Sequence, residues 1–121
     1  MQLELFKHDD GRILIETEEW KQIAEYPAYE CSNMGRFRRI ADGLTLNGTV
    51  AFNGYIHIGL TRDKKQITKL AHRIIASTWL VKPTQSHNDV NHRNKVRNDN
   101  RVSNLEWMTR SQNIIHSKKK L

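Results

Sequence analysis

The sequence has few of the features that stabilise secreted proteins or place a protein in a membrane. It contains one cysteine, Cys31, among 121 residues, which excludes an internal disulfide and any zinc site built on paired cysteines. It has no apolar run of the length that a membrane span requires, and its start, MQLELFKHDD, lacks the basic and then apolar pattern of a signal peptide. We therefore expect a cytoplasmic protein with no membrane partner.

Apolar residues are also scarce. Hydrophobic residues make up 37% of the sequence and charged residues 27%. A chain of this length buries one modest core. We expect one domain, or a small domain with an arm, with an extended surface.

The positive charge is concentrated in one part of the chain. Residues 1–30 carry three Lys and Arg against eight Asp and Glu, whereas residues 31–121 carry seventeen against five. The net charge of +7 therefore combines an acidic start with a strongly basic remainder. A field of this sign favours nucleic acid as the partner, because phosphate contacts dominate the affinity of such complexes.

Turn and periodicity signals divide the chain into three parts. Residues 1–18 form an acidic arm, for which the sequence leaves two alternatives: a hairpin that turns at Asp10-Gly11, or a poorly ordered segment. Residues 19–70 form a β-rich module of short extended segments separated by turns. Residues 71–121 begin with apolar residues at helical spacing, which predicts a helix packed on the preceding sheet.

Two places in the β-rich module are candidate DNA contacts. Arg36 and Arg38 share one strand face because side chains alternate along a strand. His57 lies on the polar face of the segment YIHIGLTR, and a two-stranded ribbon can enter a DNA groove. For each of them, a merely solvated strand face is the alternative.

The densest chemistry lies in residues 89–116, DVNHRNKVRNDNRVSNLEWMTRSQNIIH. The pattern predicts a strand that ends at residue 92, a polar loop, a return strand over residues 105–108 and a helix to about residue 118. Helical geometry places Asn113 and His116 on one face. The whole unit brings amides and imidazoles together around a point.

The predicted final helix has a recognisable start. Thr109 and Gln112 have the spacing of a capping box, with Thr109 as the N-cap residue. Ile114 and Ile115 are expected to face inward. His72, in the earlier predicted helix, has two interpretations: a polar cap over the active region, or a partly buried histidine with satisfied hydrogen bonds. We favour the second.

These segments resemble a known family. The segment EEWKQIAEYPAYECSNMGRFRRI is similar to the short module that often precedes HNH endonuclease domains in phage and intron-encoded proteins. The segments LAHRIIASTWLVKP and VNHRNKVRNDNRVSNLEWMTRSQNIIH resemble the HNH nuclease domain itself. The resemblance implies an α+β protein: a small antiparallel β-sheet region with a helix, followed by a C-terminal ββα-metal motif at residues 89–118.

The same resemblance implies roles for four residues. His92 is expected to be the general base that takes a proton from the attacking water, and Asn104 to brace the loop so that His92 points correctly. Asn91 and Asn113 are expected to hold one divalent ion, Mg²⁺ or Mn²⁺, that also contacts the scissile phosphate. The implied reaction is hydrolysis of double-stranded DNA that leaves a 5′-phosphate and a 3′-hydroxyl. We expect a monomer that nicks the DNA, because one active site cuts one strand at a time and the sequence shows no sign of a dimer interface.

The basic loop and the last helix supply further candidate DNA contacts. These are Arg93, Lys95, Arg97, Arg101, Arg110 and His116. For His116, contact with the metal ion and plain solvation on the helix surface are the alternatives.

The sequence departs from the family pattern at two places. Asn91 stands where a carboxylate is common, so both expected ligands are neutral and the ion is expected to bind weakly without DNA. Arg93-Asn94-Lys95 replaces a turn that usually contains glycine, so Asn94 or Lys95 must adopt a positive φ, which asparagine does more readily. These departures motivate a second hypothesis, a DNA-binding protein with the HNH fold and little activity. A basic RNA-binding protein is a third, less favoured, because the sheet face offers few aromatic residues for base stacking.

Overall fold

The protein has α+β architecture, as the sequence predicted. The computed structural model describes residues 3–7 and 13–118. Its strands are β1 (Leu3–Lys7), β2 (Ile13–Thr17), β3 (Trp20–Ile23), β4 (Tyr26–Ser32), β5 (Phe37–Arg39), β6 (Thr45–Leu46), β7 (Thr49–Val50), β8 (Ile56–Arg62), β9 (Lys65–Leu70), β10 (Asp89–His92) and β11 (Leu105–Met108). Its α-helices are α1 (Ala71–Trp79) and α2 (Arg110–Lys118), and a short 3₁₀ helix covers Val102–Asn104.

The described strands pair in four antiparallel sheets. Strands β3, β4, β5 and β6 form one sheet in that order, and β7, β8 and β9 form a second. Strands β1 and β2 form a separate hairpin, as do β10 and β11. The turn predicted at Asp10-Gly11 lies outside the described residues, although the two strands that flank it pair as the prediction requires.

A tight turn between β8 and β9 fixes the register of the second sheet. Arg62 pairs with Lys65, which leaves Asp63 and Lys64 as a two-residue loop. Both loop residues have positive φ, 53° and 63°. This is the geometry of a type I′ turn, whose twist matches that of the flanking strands.

One hydrophobic core joins the two main sheets, α1 and the last hairpin. Its buried members come from β3, β4, β5, β8, α1, β10 and β11: Ile23, Tyr26, Tyr29, Cys31, Phe37, Ile58, Leu60, Ala71, Ile74, Ile75, Ala76, Val90 and Leu105. Helix α1 therefore packs on the sheets as predicted. The last hairpin is anchored to this core through Val90 and Leu105, so the residues beside them in the chain are held on a rigid support. The division at residue 70 into two domains remains a prediction.

No helix in the described part of the chain has the length and apolar character that a membrane crossing requires.

Candidate functional site

The last hairpin and helix α2 build the site. In the hairpin, Asn91 pairs with Glu106 and His92 with Leu105. The predicted order of strand, loop, strand and helix is confirmed. The capping box is confirmed as well, because the backbone N–H of Gln112 donates to Thr109 Oγ1 at 3.2 Å and that of Thr109 donates to Gln112 Oε1 at 2.9 Å.

A cavity of about 210 Å³ lies between the hairpin, the loop after β10 and helix α2. Its lining residues are Tyr55, Val90, Asn91, His92, Lys95, Arg97, Asn113, His116 and Ser117. Three of the four residues expected to carry catalysis or metal binding, Asn91, His92 and Asn113, thus share one cavity. Asn104, the expected brace, does not line it.

The imidazole of His92 is buried and contacts the side chain of Asn100. Only 5% of the residue is exposed, and its Nε2 lies 2.8 Å from Oδ1 of Asn100, which is also buried. Burial lowers the pKa of the His92 imidazole, against the raising effects of the Asn100 hydrogen bond and the nearby Asp99 carboxylate. Burial therefore favours the neutral ring, which is the form that accepts a proton.

The amide groups of Asn91 and Asn113 are each oriented by a carboxylate. Nδ2 of Asn91 donates to Oε1 of Glu106 at 3.0 Å, and Nδ2 of Asn113 donates to Oδ2 of Asp89 at 3.0 Å. Because the amide nitrogen of each residue is engaged, the amide oxygen is the atom that remains for a ligand in the cavity. Amide oxygens are hard donors of the kind that Mg²⁺ and Ca²⁺ accept in proteins.

The two carboxylates also meet arginines. Nη2 of Arg93 lies 3.4 Å from Oε2 of Glu106, and Nη1 of Arg110 lies 3.4 Å from Oδ2 of Asp89. Among the described residues, no three His, Cys, Asp or Glu side chains cluster in a way that could hold a metal ion. The amide oxygens of Asn91 and Asn113 remain the candidate ligands, and the carboxylates of Glu106 and Asp89 bind the amide nitrogens of these two residues.

Asn104 stabilises the loop after β10 through hydrogen bonds to other residues of that loop. Its Oδ1 accepts the backbone N–H of Asn94 at 3.1 Å, and its Nδ2 donates to Asn94 Oδ1 at 3.0 Å and to the carbonyl of Asp99 at 2.8 Å. Its own carbonyl accepts the backbone N–H of Arg93 at 2.8 Å. These four hydrogen bonds fix the start of the loop directly after His92.

The turn that follows His92 adopts its positive φ at Lys95, one of the two residues expected to do so. Asparagine was expected to take this conformation more readily, but Lys95, with φ of 62°, is the residue that does so. Asn94 instead uses its side chain, which accepts from the backbone N–H of Val96 at 2.9 Å and donates to Asp99 at 2.9 Å. The side-chain bonds of Asn94 thus outweigh its preference for the left-handed region.

His72 lies against the site, which corrects the interpretation that we favoured. Its ring centroid is 4.9 Å from that of His92 and 5.1 Å from that of Tyr55, on which it stacks. It is buried, but its Nδ1 has no hydrogen-bond partner among the described residues. Burial, together with the neighbouring His92, lowers the pKa of His72 to about 4. His72 is therefore a neutral ring packed against His92 rather than a histidine with satisfied hydrogen bonds.

Helix α2 differs from the prediction in its apolar residues. Ile114 and Ile115 were expected to face inward, but they are 45% and 58% exposed. The helix instead turns Asn113 and His116 toward the cavity. Nε2 of His116 is buried and has no partner in the part of the chain that the structure describes.

Of the arginines and the lysine predicted to contact DNA in the loop and the last helix, four lie in or beside the cavity and one does not. Lys95 and Arg97 line the cavity, with Arg97 also 4.9 Å from the Tyr55 ring. Arg93 and Arg110 flank it through Glu106 and Asp89. Arg101 is instead held by both oxygens of Asp99, at 2.7 and 2.6 Å.

The contacts predicted in the β-rich module lie on other surfaces. Arg36 and Arg38 do share a face, where their guanidinium groups lie 5.4 and 3.9 Å from the centre of the Trp20 ring. Arg36 pairs with Glu18 and Arg38 with Glu30. The hydrogen bond with Arg36 is the main reason that the pKa of Glu18 lies below its usual value.

His57 lines a larger groove of about 700 Å³ between β3, β9 and α1. It is not part of the cavity that holds His92. The role of His57, Arg36 and Arg38 in DNA binding remains a prediction.

Sequence reasoning missed the residues that orient the site. Asn100, Glu106 and Asp89 each hold a candidate functional side chain. The cross-strand pair of Asn91 and Glu106 follows from the hairpin register and was accessible from the sequence. The contact of Asn100 depends on the path of an irregular loop, which no periodicity describes.

The chain matches two family models. Residues 18–61 match the NUMOD4 motif, and residues 83–114 match the HNH endonuclease family. The second match contains the whole of the hairpin and most of helix α2.

Known proteins are similar over most of the chain. An uncharacterized HNH endonuclease of Acanthamoeba polyphaga mimivirus is 34% identical over 101 residues, which cover 84% of this chain and 25% of that protein. The DNA endonuclease I-HmuI of Bacillus phage SP01 is 32% identical over 97 residues, which cover 79% of this chain and 55% of that protein. The chain thus spans between a quarter and just over half of the length of these relatives.

A solved structure supports the same relationship. The structure titled "DNA binding and cleavage by the HNH homing endonuclease I-HmuI" matches with a TM-score of 0.74 and 31% identity, over 82% of this chain and 57% of that one. The α+β fold, the hairpin-and-helix site and the two family matches agree with one another. Residues 83–114 of the chain therefore form an HNH endonuclease region, and a NUMOD4 motif at residues 18–61 precedes it.

Proposed function

We propose that this protein is a metal-dependent DNA endonuclease that hydrolyses one phosphodiester bond at a time and leaves a nick. The observation that carries the proposal is the composition of one cavity. A buried neutral imidazole, His92, shares it with two amides, Asn91 and Asn113, whose nitrogens are already bound by carboxylates. A general base next to oxygen ligands for a divalent ion can activate a water molecule beside a phosphate.

His92 would act as the general base. It would take a proton from a water molecule as the water oxygen forms a bond to phosphorus and the bond from phosphorus to the 3′ oxygen breaks. The 3′ oxygen would then be protonated from solvent, which gives a 5′-phosphate and a 3′-hydroxyl. Burial keeps His92 neutral for this step because it lowers the pKa of the imidazole.

Asn91 and Asn113 would hold the divalent ion through their amide oxygens. A bound Mg²⁺ or Mn²⁺ would supply positive charge to stabilise the scissile phosphate and the leaving oxygen. Two neutral ligands bind such an ion weakly, and phosphate oxygens of DNA commonly complete the site of Mg²⁺. We therefore expect the ion and the DNA to bind cooperatively.

Basic side chains around the cavity would bind the DNA backbone. Lys95 and Arg97 line the cavity, and Arg93 and Arg110 flank it. His116 has a buried Nε2 without a protein partner among the described residues, so a phosphate oxygen would satisfy it. We propose four further residues as weaker DNA contacts: Arg101, Arg36, Arg38 and His57. The three arginines already pair with carboxylates, and His57 lies in another groove.

Supercoiled plasmid DNA tests the proposal. The protein is incubated with plasmid in Mg²⁺, in Mn²⁺ and in EDTA, and the products are separated on a gel. We expect open circles with either metal ion and intact plasmid in EDTA, whereas linear DNA as the first product would indicate a double-strand cut. Metal-independent retention of the plasmid without cleavage would favour the second hypothesis, a DNA-binding protein with little activity, for which the neutral Asn91 is the motivating observation.

Replacing Asn91 by aspartate is expected to tighten metal binding. The substitution provides a charged ligand and at the same time replaces the hydrogen bond to Glu106 by a repulsive pair of carboxylates, which a cation would relieve. We expect the Mn²⁺ concentration at half-saturation to fall about tenfold, which corresponds to about 1.4 kcal/mol of binding free energy. The measurement is a metal titration in which the rise in melting temperature reports binding. The matched control is Asn98→Asp, which adds the same charge at an exposed loop position. A metal dependence unchanged by Asn91→Asp would show that Asn91 is not a ligand.

A further inference from the structure

We propose that Asn100 is a positioning residue, which fixes His92 in the tautomer that carries its hydrogen on Nε2 and so leaves Nδ1 as the atom that accepts the proton. The inference rests on the proposed role of His92 as the base. It adds to that role a second residue, Asn100, to which the resemblance to the HNH family assigned no part.

The orientation of the Asn100 amide points to one tautomer. Oδ1 of Asn100 lies 2.8 Å from Nε2 of His92, and Nδ2 of Asn100 is buried without a partner among the described residues. An amide oxygen only accepts hydrogen bonds, so with this orientation Nε2 donates and carries the hydrogen. A neutral imidazole carries one such hydrogen, so the lone pair that can accept a proton is then on Nδ1.

The contact is isolated from water. Asn100 and His92 are 4% and 5% exposed. A solvent molecule cannot easily replace the acceptor, and a buried donor without a partner is costly. The rings of His72 and Tyr55 pack against the ring of His92, at 4.9 and 6.0 Å between ring centroids. Loss of the Asn100 oxygen would therefore allow the ring to flip or to change tautomer.

The β-rich module holds Asn100 in place. Gly35 has a φ of +86°, and a Cβ atom at that position would lie 2.9 Å from the carbonyl oxygen of Asn100 and 3.1 Å from its Cβ. The turn that contains Gly35 therefore packs directly on the backbone of Asn100. Two residues further along the chain, the backbone N–H of Val102 donates to the carbonyl of Asn33 at 2.9 Å. The turn at residues 33–35 thus fixes the loop segment whose side chain orients the base.

Asn100 differs from Asn104 in what it touches. The side chain of Asn104 bonds to Asn94 and to the carbonyl of Asp99, so it stabilises the loop itself. The side chain of Asn100 bonds to the base. A purely structural role for Asn100 would change stability, whereas the positioning role changes the protonation pattern of one ring.

Nitrogen-15 NMR of the histidine side chains tests the proposal in the full-length protein. The spectra are recorded at a pH above the ordinary histidine pKa, where the neutral form dominates, and the His92 signals are assigned by their loss in His92→Gln. Wild type should show hydrogen on Nε2 of His92 and a bare Nδ1. Asn100→Ala should show a mixture of tautomers, and Asn100→Asp, which keeps an acceptor oxygen of the same shape, should restore the wild-type pattern.

Nicking rates provide the second measurement. With plasmid binding unchanged, we expect Asn100→Ala to lower the single-turnover rate by about 10- to 100-fold, as the loss of an orienting partner does, and Asn100→Asp to recover most of that loss. Asn98→Ala serves as the control for a neutral change in the same loop. Hydrogen on Nδ1 in the wild type would overturn the proposal, as would an unchanged tautomer and rate in Asn100→Ala or an equal loss in Asn100→Asp.

The two measurements separate this inference from the proposed function. If the wild type does not nick DNA but shows the expected tautomer and loses it in Asn100→Ala, the activity is refuted and the positioning contact stands. If the wild type nicks DNA and the tautomer does not depend on Asn100, the activity stands and the positioning role is refuted.

Discussion

Replacing His92 by alanine is expected to abolish nicking of plasmid DNA while leaving DNA binding intact. General-base catalysis commonly contributes about 10²- to 10⁴-fold to a rate, so we expect a loss of about 10³-fold in the single-turnover rate. DNA binding should persist because His92 is buried and neutral, whereas the basic side chains around the cavity are unchanged. The measurement is the rate of conversion of supercoiled to open-circular plasmid, with protein in excess and saturating Mg²⁺.

His87 provides the matched control for this substitution. It lies in the loop before β10, where its side chain bonds to Thr84 at 2.7 Å, and it is not part of the cavity. His87→Ala should nick at a rate within about twofold of the wild type, since surface substitutions away from a site change little. Circular dichroism of both variants verifies that they are folded. Equal cleavage by His92→Ala and the wild type would eliminate His92 as the base.

Replacing Asn104 by alanine is expected to produce the largest loss of stability of the proposed substitutions. The change removes the three side-chain hydrogen bonds that close the loop and leaves the backbone N–H of Asn94 and the carbonyl of Asp99 without their partner. Asn104 is 3% exposed, so water does not readily replace these bonds. An unsatisfied buried group costs about 1–3 kcal/mol, and we expect a decrease of about 2–4 kcal/mol in the free energy of unfolding.

Urea denaturation of wild type, Asn104→Ala and Asn98→Ala measures this effect. Asn98 is exposed in the same loop, and its substitution should change the free energy of unfolding by no more than about 0.5 kcal/mol. The comparison separates the bonds of Asn104 from the general cost of removing an asparagine. An Asn104→Ala variant as stable as Asn98→Ala would mean that Asn104 does not brace the loop.

The local features of the fold were accessible from the sequence. The strand that ends at His92, the return strand, helix α2 and its capping box at Thr109 follow from turn residues, periodicity and cap spacing, which act over a few residues. Helix α1 was predicted for the same reason. The positions of Asn91, His92 and Asn113 around one cavity followed once the hairpin and the helix were placed in order.

The errors have a different physical origin, because they depend on contacts that are distant in sequence. Ile114 was expected to be buried from its apolar character alone, but the core was already filled by α1 and the sheets. His72 lies twenty residues before His92 in the sequence. Its packing on His92 follows from how α1 packs against the hairpin. The contact of Asn100 with His92 required the loop path that the turn at Gly35 enforces.

The Mg²⁺ concentration at which plasmid nicking is half-maximal tests the central claim most directly, because that claim joins a metal ion, an amide ligand and DNA cleavage in one cavity. The titration compares wild type with Asn113→Ala, which removes one proposed ligand from the cavity, at equal amounts of bound DNA. The account predicts no nicking in EDTA, saturation of the wild type with Mg²⁺, and a shift of at least about tenfold to higher Mg²⁺ in the variant. Cleavage that persists in EDTA, or a Mg²⁺ dependence that is the same in both proteins, would contradict it.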